Sequence, residues 1–220
     1  MMAASDGPAP DQERAKPRLT GHGLSCRRGD AALFSNVDFE LHAGEMLFVR
    51  GRNGCGKTTL LRAICGLTEP AQGQLCWDGR NIRELEEEYR AHLLFLGHRD
   101  GVKEELTPME NLEVQDGLRG EGGGEEARLD ALERMGLAGR EDIPVRHLSQ
   151  GQRRRVALAR LLLSPAELWV LDEPLTALDV RAVEMLLGLF RKHLDAGGLV
   201  VATSHQPLDG MRDARTLALD

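Results

Sequence analysis

One segment of eight residues restricts the fold of this 220-residue chain more than any other feature. Residues 51–58 read GRNGCGKT; the largely apolar run 46–50 precedes them, and Leu60, Leu61 and Ile64 follow at helical spacing. The pattern G-x-x-x-x-G-K-[ST] between a strand and a helix is typical of a loop whose backbone binds phosphate. The segment therefore predicts a strand, a phosphate-binding loop and a helix in direct succession, as in a P-loop α/β core.

The residue types of this loop suit the phosphates of a nucleotide. Glycines allow backbone N–H groups to turn towards phosphate oxygens, Lys57 can neutralise the β- and γ-phosphates, and the Thr58 hydroxyl can ligate Mg²⁺. The alternative is a glycine-rich turn that binds nothing, but ordinary residue usage produces such a match in on the order of 1% of chains this size. ATP and Mg²⁺ are therefore the expected cofactors. The predicted nucleotide-binding residues of the loop are Gly51, Asn53, Gly54, Cys55, Gly56, Lys57, Thr58 and Thr59.

A second segment ends in two carboxylates. Residues 168–171 form an apolar run of the buried-strand type, and Asp172 and Glu173 follow directly. Since open α/β sheets bind ligands at the carboxyl ends of their strands, we expect Asp172 to hold Mg²⁺ and Glu173 to act as general base on the attacking water. An acidic turn after a strand is the structural alternative. The phosphate-binding loop in the same chain favours the catalytic interpretation.

Residues 148–152, LSQGQ, have two interpretations. Ser149 and Gln152 match the S-x-x-Q capping box that opens a helix. A helix N-terminus with a serine and the small Gly151 also suits a γ-phosphate. Because the segment lies far along the chain from the phosphate-binding loop, we expect a second copy of the chain to provide that contact. His205 likewise is either a hydrogen-bond donor to the γ-phosphate or, as is commoner for an isolated histidine, a structural residue.

Composition disfavours several functions. With 35 acidic and 28 basic residues, the net charge of −7 disfavours non-specific binding to nucleic acid. The four cysteines lack the spacing of metal ligands and are interpreted as free thiols in a reducing compartment, for which the cytoplasm fits best. No apolar run approaches the roughly 18–20 residues that span a bilayer, so any membrane role requires another chain.

The sequence predicts a single domain over residues 18–220, after a disordered N-terminal tail over residues 1–17. Short alternating runs over residues 19–44 predict an antiparallel β lobe. Residues 84–147 are charge-rich and predict a mostly helical lobe. The rest of the chain alternates helix and strand, which favours a parallel sheet. The predicted fold class is α/β, a P-loop core with an antiparallel β lobe and a helical lobe.

Taken together, these motifs resemble those of the ATP-binding-cassette (ABC) ATPases over about residues 18–210. The motifs are a Walker A loop at residues 51–58, a signature at residues 148–152, a Walker B segment ending at Asp172 and Glu173, a D-loop at residues 176–179 that includes Asp179, and a switch histidine at His205. The resemblance implies a head-to-tail dimer, in which Ser149 and Gly151 of one copy close on ATP held by Lys57 of the other. It also implies separate integral membrane subunits.

Within that family, the chain is most similar to the ATP-binding subunits of bacterial haem exporters of cytochrome c maturation. Residues 96–107, 110–112 and 144–149 carry this resemblance. It implies a transport ATPase, peripheral at the cytoplasmic face of the inner membrane through its membrane partners. The alternatives are an ATPase subunit for another substrate, a soluble cassette protein acting on nucleic acid or ribosomes, and a nucleotide-dependent clamp that does not hydrolyse ATP.

Three residues depart from the family's pattern. His98 stands where the family has a glutamine, and it is expected to ligate Mg²⁺ or to hydrogen-bond a water. Arg28 stands in place of the aromatic residue that stacks on adenine, and a guanidinium can stack on a planar base. Gln150 replaces the second glycine of the signature and adds bulk at the dimer interface.

Overall fold

The computed structural model describes residues 16–119, 123–204, 211 and 214–219, so most of the predicted tail lies outside the described residues. The strands are β1 Leu19–Arg28, β2 Ala31–Leu41, β3 Met46–Gly51, β4 Gln72–Trp77, β5 Arg80–Asn81, β6 Leu93–Leu96, β7 Leu168–Leu171, β8 Leu199–Thr203 and β9 Arg215–Leu219. The helices are α1 Lys57–Ile64, α2 Ile82–Leu85, α3 Glu87–Ala91, α4 Pro108–Arg119, α5 Gly124–Arg134, α6 Gln150–Leu163 and α7 Val180–Asp195. A 3₁₀ turn, Val145–His147, lies between α5 and α6.

The first sheet is antiparallel, with strand order β2-β1-β4-β5. The pairing of β1 with β2 confirms the antiparallel lobe predicted for residues 19–44. Strands β4 and β5 were not predicted. The first half of β4 is exposed and the second half, Leu75 to Trp77, is buried without a break, so the period-two alternation that marks a strand is missing.

The second sheet is parallel, with strand order β6-β7-β8-β3-β9, and it confirms the predicted α/β class. Strand β7 has the predicted bounds. Leu171 of β7 pairs with Ala202 of β8, and Val49 of β3 pairs with Thr203 of β8. These three strands therefore end at one edge of the sheet, where the phosphate-binding loop and the two carboxylates meet.

Both faces of the parallel sheet are covered, as its apolar strands require. On one face, side chains such as Phe48 and Leu171 pack in a core with residues of α4, α5, α6 and α7. On the other face, Val49 and Val170 pack with residues of α1 and of the antiparallel sheet, and Leu60 of α1 is fully buried there. The edge that carries the phosphate-binding loop is thus supported from both sides.

Helix α4 begins where a capping box in the sequence predicts it, at Pro108. The Thr107 N–H donates to Glu110 Oε2 at 2.8 Å, and the Glu110 N–H donates to Thr107 Oγ1 at 3.2 Å. The range predicted as a helical lobe, residues 84–147, also contains β6, which pairs with β7 in the parallel sheet. Four apolar residues are too few for periodicity to distinguish a strand from a helix.

A half-buried histidine lies beneath the opposite end of β7. Trp169 of β7 stacks on His193 of α7, with ring centroids 3.7 Å apart and 8° between the ring planes. His193 Nε2 lies 3.0 Å from the Glu167 carbonyl oxygen, and a Cβ on Gly198 would lie only 2.3 Å from the same nitrogen. Burial lowers the pKa of His193, so the folded chain favours the neutral ring.

We expect the free energy of unfolding to decrease as the pH falls below about 6.5, the ordinary pKa of histidine. The unfolded chain binds this proton more readily than the folded chain, so the His193 contribution is complete above that pH and is lost towards the lower, folded pKa. Urea titrations at several pH values measure this. His193→Gln should flatten the curve, whereas His22→Gln, at an exposed position, should not. Identical pH curves for the parent and His193→Gln would contradict the assignment.

Candidate nucleotide site

An open cleft of about 380 Å³ lies at the edge where β3, β7 and β8 end. Its volume falls within the range of roughly 300–1,000 Å³ that small-molecule sites occupy. The phosphate-binding loop, the end of β7, the antiparallel sheet and the loop after β6 all contribute to it. The lining residues are Arg28, Leu33, Asn53, Gly54, Gly56, Lys57, Thr58, Thr59, His98, Asp172 and Glu173.

The phosphate-binding loop turns sharply into α1. Gly54 and Gly56 have φ values of +85° and +104°, in the left-handed region that favours glycine. A Cβ on Gly56 would lie 2.9 Å from Leu33 Cβ and from Phe34 Cδ1, so a larger residue would force the loop away from the antiparallel sheet. The loop leads into the N-terminus of α1, where unpaired backbone N–H groups and the helix dipole attract anions.

Lys57 folds back over its own loop. Its Nζ donates to the carbonyl oxygens of Gly51 at 2.8 Å and of Arg52 at 3.1 Å. Gly51 and Cys55 are not among the described residues that line the cleft. A Cβ on Gly51 would lie 2.5 Å from Cys55 Sγ and 2.4 Å from the Leu219 carbonyl oxygen. These two residues therefore support the shape of the loop and do not face the cleft. Phosphate offers the ammonium a charged acceptor, which makes a stronger hydrogen bond than a carbonyl.

Asp172 is buried, with 2% of its surface exposed, and both of its carboxylate oxygens accept hydrogen bonds. Thr58 Oγ1 donates to Oδ2 at 2.8 Å, and Thr203 Oγ1 donates to Oδ1 at 2.7 Å. A hydroxyl beside a carboxylate is an oxygen donor set of the kind that Mg²⁺ prefers. Thr58 and Asp172 therefore suit the predicted cation.

Glu173 lines the same cleft, and its backbone is held in an uncommon conformation. Its N–H donates to Thr203 Oγ1 at 2.9 Å, and its φ of +53° lies in the left-handed region, which is rare for a residue with a Cβ. Such conformations cost roughly 1–3 kcal/mol and cluster at active sites. Thr203 is not predictable as a site residue, because a threonine at the end of an apolar strand carries no signal of its own.

Arg28 and His98 both line the cleft, although they depart from the family's pattern. Arg28 is the last residue of β1 and is exposed. His98 is exposed in the loop that follows β6. Both side chains are therefore placed to contact a ligand in the cleft.

Ser149, Gly151 and Asp179 are not among the described residues that line the cleft of their own chain. Ser149 opens α6 with the predicted capping box: the Gln152 N–H donates to Ser149 Oγ at 3.2 Å, and the Ser149 N–H donates to Gln152 Oε1 at 2.9 Å. Asp179 caps α7 by accepting the Ala182 N–H at 2.8 Å. The predicted contact of these residues with a nucleotide would therefore require a second copy of the chain.

His205 lies outside the described residues, so its predicted contact with the γ-phosphate stays a prediction.

Among the helices that the structure describes, none combines the length and the apolar character needed to cross a membrane. The described residues also contain no group of three or more His, Cys, Asp or Glu side chains placed to hold a metal ion. A site with few protein ligands is usual for Mg²⁺ in ATPases, where phosphates and waters complete the coordination.

The chain belongs to the ABC transporter family, whose sequence profile matches residues 34–176. This result confirms the resemblance that the five motifs carry. Among curated relatives, the "Cytochrome c biogenesis ATP-binding export protein CcmA" of Nitrosomonas europaea is 50% identical over 202 residues, 92% of this chain and 92% of that protein. The protein of the same name from Methylococcus capsulatus is 48% identical over 202 residues, 91% of this chain and 97% of that protein.

Solved structures agree with this assignment. A putative ABC transporter ATP-binding protein from Pyrococcus furiosus has a TM-score of 0.80 and 27% identity, covering 92% of this chain and 97% of that one. An ATP-binding cassette solved as a dimer in a post-hydrolysis state, bound to ADP and Pi, has a TM-score of 0.80 and 25% identity, covering 92% and 94%. The predicted fold and the predicted ATPase activity are thus both supported by relatives.

Proposed function

We propose that this chain is the ATP-hydrolysing subunit of an export complex of cytochrome c maturation, which moves haem or releases a haem-loaded partner. The observation that carries the enzymatic part is the contact of Asp172 with Thr58 in a cleft that Lys57 and Glu173 also line. The cellular part is supported by relatives that are named as cytochrome c biogenesis export proteins and are about half identical to this chain.

The charged and polar residues of the cleft take different parts in the proposed hydrolysis of ATP. The loop N–H groups and Lys57 bind the β- and γ-phosphates. Mg²⁺, when bound, neutralises charge on the phosphate oxygens, and Thr58 and Asp172 would hold it, with His98 as a further candidate ligand. Glu173 accepts the proton of the water that attacks the γ-phosphorus.

The proposed active unit is a dimer in which Ser149 and Gly151 of each copy face the nucleotide of the other. Two observations support it: these residues do not line their own cleft, and a solved relative is a dimer bound to ADP and Pi. In this dimer Arg28 stacks on adenine and Asp179 lies at the interface near the nucleotide. His205 donates a hydrogen bond to the γ-phosphate.

Ser149→Asp is expected to abolish ATP hydrolysis without unfolding the chain. Aspartate is as good an N-cap as serine, so α6 should be retained. Its negative charge would face the γ-phosphate of the partner's ATP, and two like charges 4 Å apart repel by roughly 4 kcal/mol at an effective dielectric of about 20. Ser149→Asn, a neutral N-cap of the same shape, is the matched control. A Ser149→Asp variant that hydrolyses ATP at the parental rate would contradict the proposed dimer contact.

We also propose a location at the cytoplasmic face of the bacterial inner membrane, peripheral through integral membrane subunits. A soluble cassette protein that acts on nucleic acid is less well supported, because the net charge of −7 repels phosphate backbones. Purification from solubilised membranes of the native host, with mass spectrometry of the co-purifying proteins, tests this. We expect membrane proteins of cytochrome c maturation. Unrelated permease subunits would retain the transport ATPase and exclude haem, and a chain without membrane partners would contradict the location.

A further inference from the structure

Arg154 is the buried member of three consecutive arginines in α6. Its side chain is 4% exposed. Nη1 donates to Asp100 Oδ1 at 2.8 Å and to the Gly97 carbonyl oxygen at 3.3 Å. Nη2 donates to the carbonyl oxygens of Asp172 at 3.1 Å and Glu173 at 3.0 Å. One guanidinium thus bonds to four acceptors in two separate segments of the chain.

Both of these segments line the nucleotide cleft. Gly97 and Asp100 flank His98 in the loop after β6, and the other segment carries the two carboxylates. Arg154 itself belongs to the helix that Ser149 opens, in its first turns. The guanidinium therefore joins the His98 loop, the backbone of the proposed general base and the helix that follows the signature.

We propose that Arg154 is a positioning residue for ATP hydrolysis. It holds the loop that contains His98 and the backbone of Glu173 in fixed positions relative to α6. This inference rests on the proposed function, since it assigns Arg154 a part in the hydrolysis carried out in that cleft. Arg154 does not line the cleft among the described residues, and it acts through the groups that do.

Arginine is suited to this task for two reasons. Its planar guanidinium donates from two nitrogens in fixed directions, so one side chain can orient two segments at once. The Asp100 carboxylate offsets the buried charge, which would otherwise be costly. The conformation of Glu173 makes this support important, because its left-handed φ of +53° is unfavourable without neighbours that hold it.

The test compares Arg154→Gln with Arg155→Gln in the full chain, purified with its membrane subunits. Arg155 is the next residue of α6, and its Nη1 bonds to the carbonyl oxygens of Met135 and Gly136, away from the cleft. Since misplacement of catalytic groups by about 1 Å can cost roughly 100-fold in rate, we expect Arg154→Gln to lower kcat by about 10- to 100-fold. The Kd for ATP should change by less than about twofold, because the phosphate-binding loop is untouched. Arg155→Gln should change neither.

Two further variants keep the proposal falsifiable if Arg154→Gln folds poorly. Arg154→Lys keeps the charge but carries all its donors on one nitrogen, so it cannot reach both segments at once and should restore kcat only in part. Asp100→Asn removes the charge of a partner that is 27% exposed, and it should lower kcat by a smaller factor than Arg154→Gln. Adding Asp100→Asn to Arg154→Gln should cause no further loss, because Arg154→Gln already removes the contact that Asp100→Asn weakens.

Equal kcat values for Arg154→Gln and Arg155→Gln would overturn the positioning role. The role would also be overturned if the kcat loss of Arg154→Gln matched its loss of folded protein, measured by thermal unfolding. A rise in its Kd for ATP as large as its loss of kcat would overturn it too. An unaltered complex that binds ATP and does not hydrolyse it would instead overturn the proposed function, and this inference with it.

Discussion

Glu173→Gln is expected to lower the rate of ATP hydrolysis by roughly 100- to 10,000-fold, the usual contribution of a general base, while ATP binding is retained. The amide keeps the size of the side chain but cannot accept a proton from water. The backbone at this position is held by Thr203 and Arg154 through the N–H and the carbonyl, so it does not depend on the carboxylate. Bound ATP therefore persists, and ATP-bound dimers should accumulate.

Phosphate release and light scattering with and without ATP measure these two effects together. Glu126→Gln, at an exposed position in α5, makes the same chemical change outside the cleft and is the matched control. It should hydrolyse ATP at the parental rate. If Glu173→Gln also did so, Glu173 would not be the base.

Lys57→Ala should act on binding rather than on the chemical step alone. A charge-assisted hydrogen bond to phosphate contributes roughly 1.5–3 kcal/mol, so the Kd for ATP should rise by about 10- to 150-fold. Among the described residues, the Lys57 ammonium bonds to the carbonyl oxygens of Gly51 and Arg52, so its removal leaves neither carbonyl with an unpaired buried charge. The fold should therefore tolerate the change.

Calorimetric titration with ATP and Mg²⁺ measures this change in affinity. Lys192→Ala removes a lysine from an exposed position of α7 and is the matched control, with no change in affinity expected. An ATP affinity of Lys57→Ala equal to that of the parent would show that the loop at residues 51–58 does not bind phosphate.

The site residues that the sequence could predict are those fixed by short-range geometry. The loop at residues 51–58 is defined by its own glycines, and Asp172 and Glu173 are placed by the strand that precedes them. Thr203 and Arg154 both contact Asp172, which lies 31 and 18 residues away along the chain, and no local pattern marks either residue. Ser149 allowed two interpretations because an N-cap and a phosphate contact use the same helix end.

The same distinction holds for the fold. Strand β7 is an apolar run directly before Asp172 and Glu173, and its bounds follow from the sequence. Strand β9 lies at the edge of the parallel sheet with only Leu219 buried, and its apolar run of three residues, 217–219, is too short for periodicity to identify a strand. Its place is decided by pairing with β3, a contact that joins the last residues of the chain to the phosphate-binding strand.

A mixed dimer tests the proposal that ATP is hydrolysed in a cleft completed by a second copy of the chain. Co-expression of Lys57→Ala and Ser149→Asp chains with different affinity tags, and purification through both tags, isolates mixed dimers. In a head-to-tail dimer, one of the two sites then combines an intact Lys57 with an intact Ser149. At an ATP concentration well below the raised Kd of Lys57→Ala, the mixed dimer should hydrolyse ATP at about half the parental rate, while dimers of either variant alone should be nearly inactive. A mixed dimer that is no more active than dimers of either variant alone would contradict a site shared between two copies.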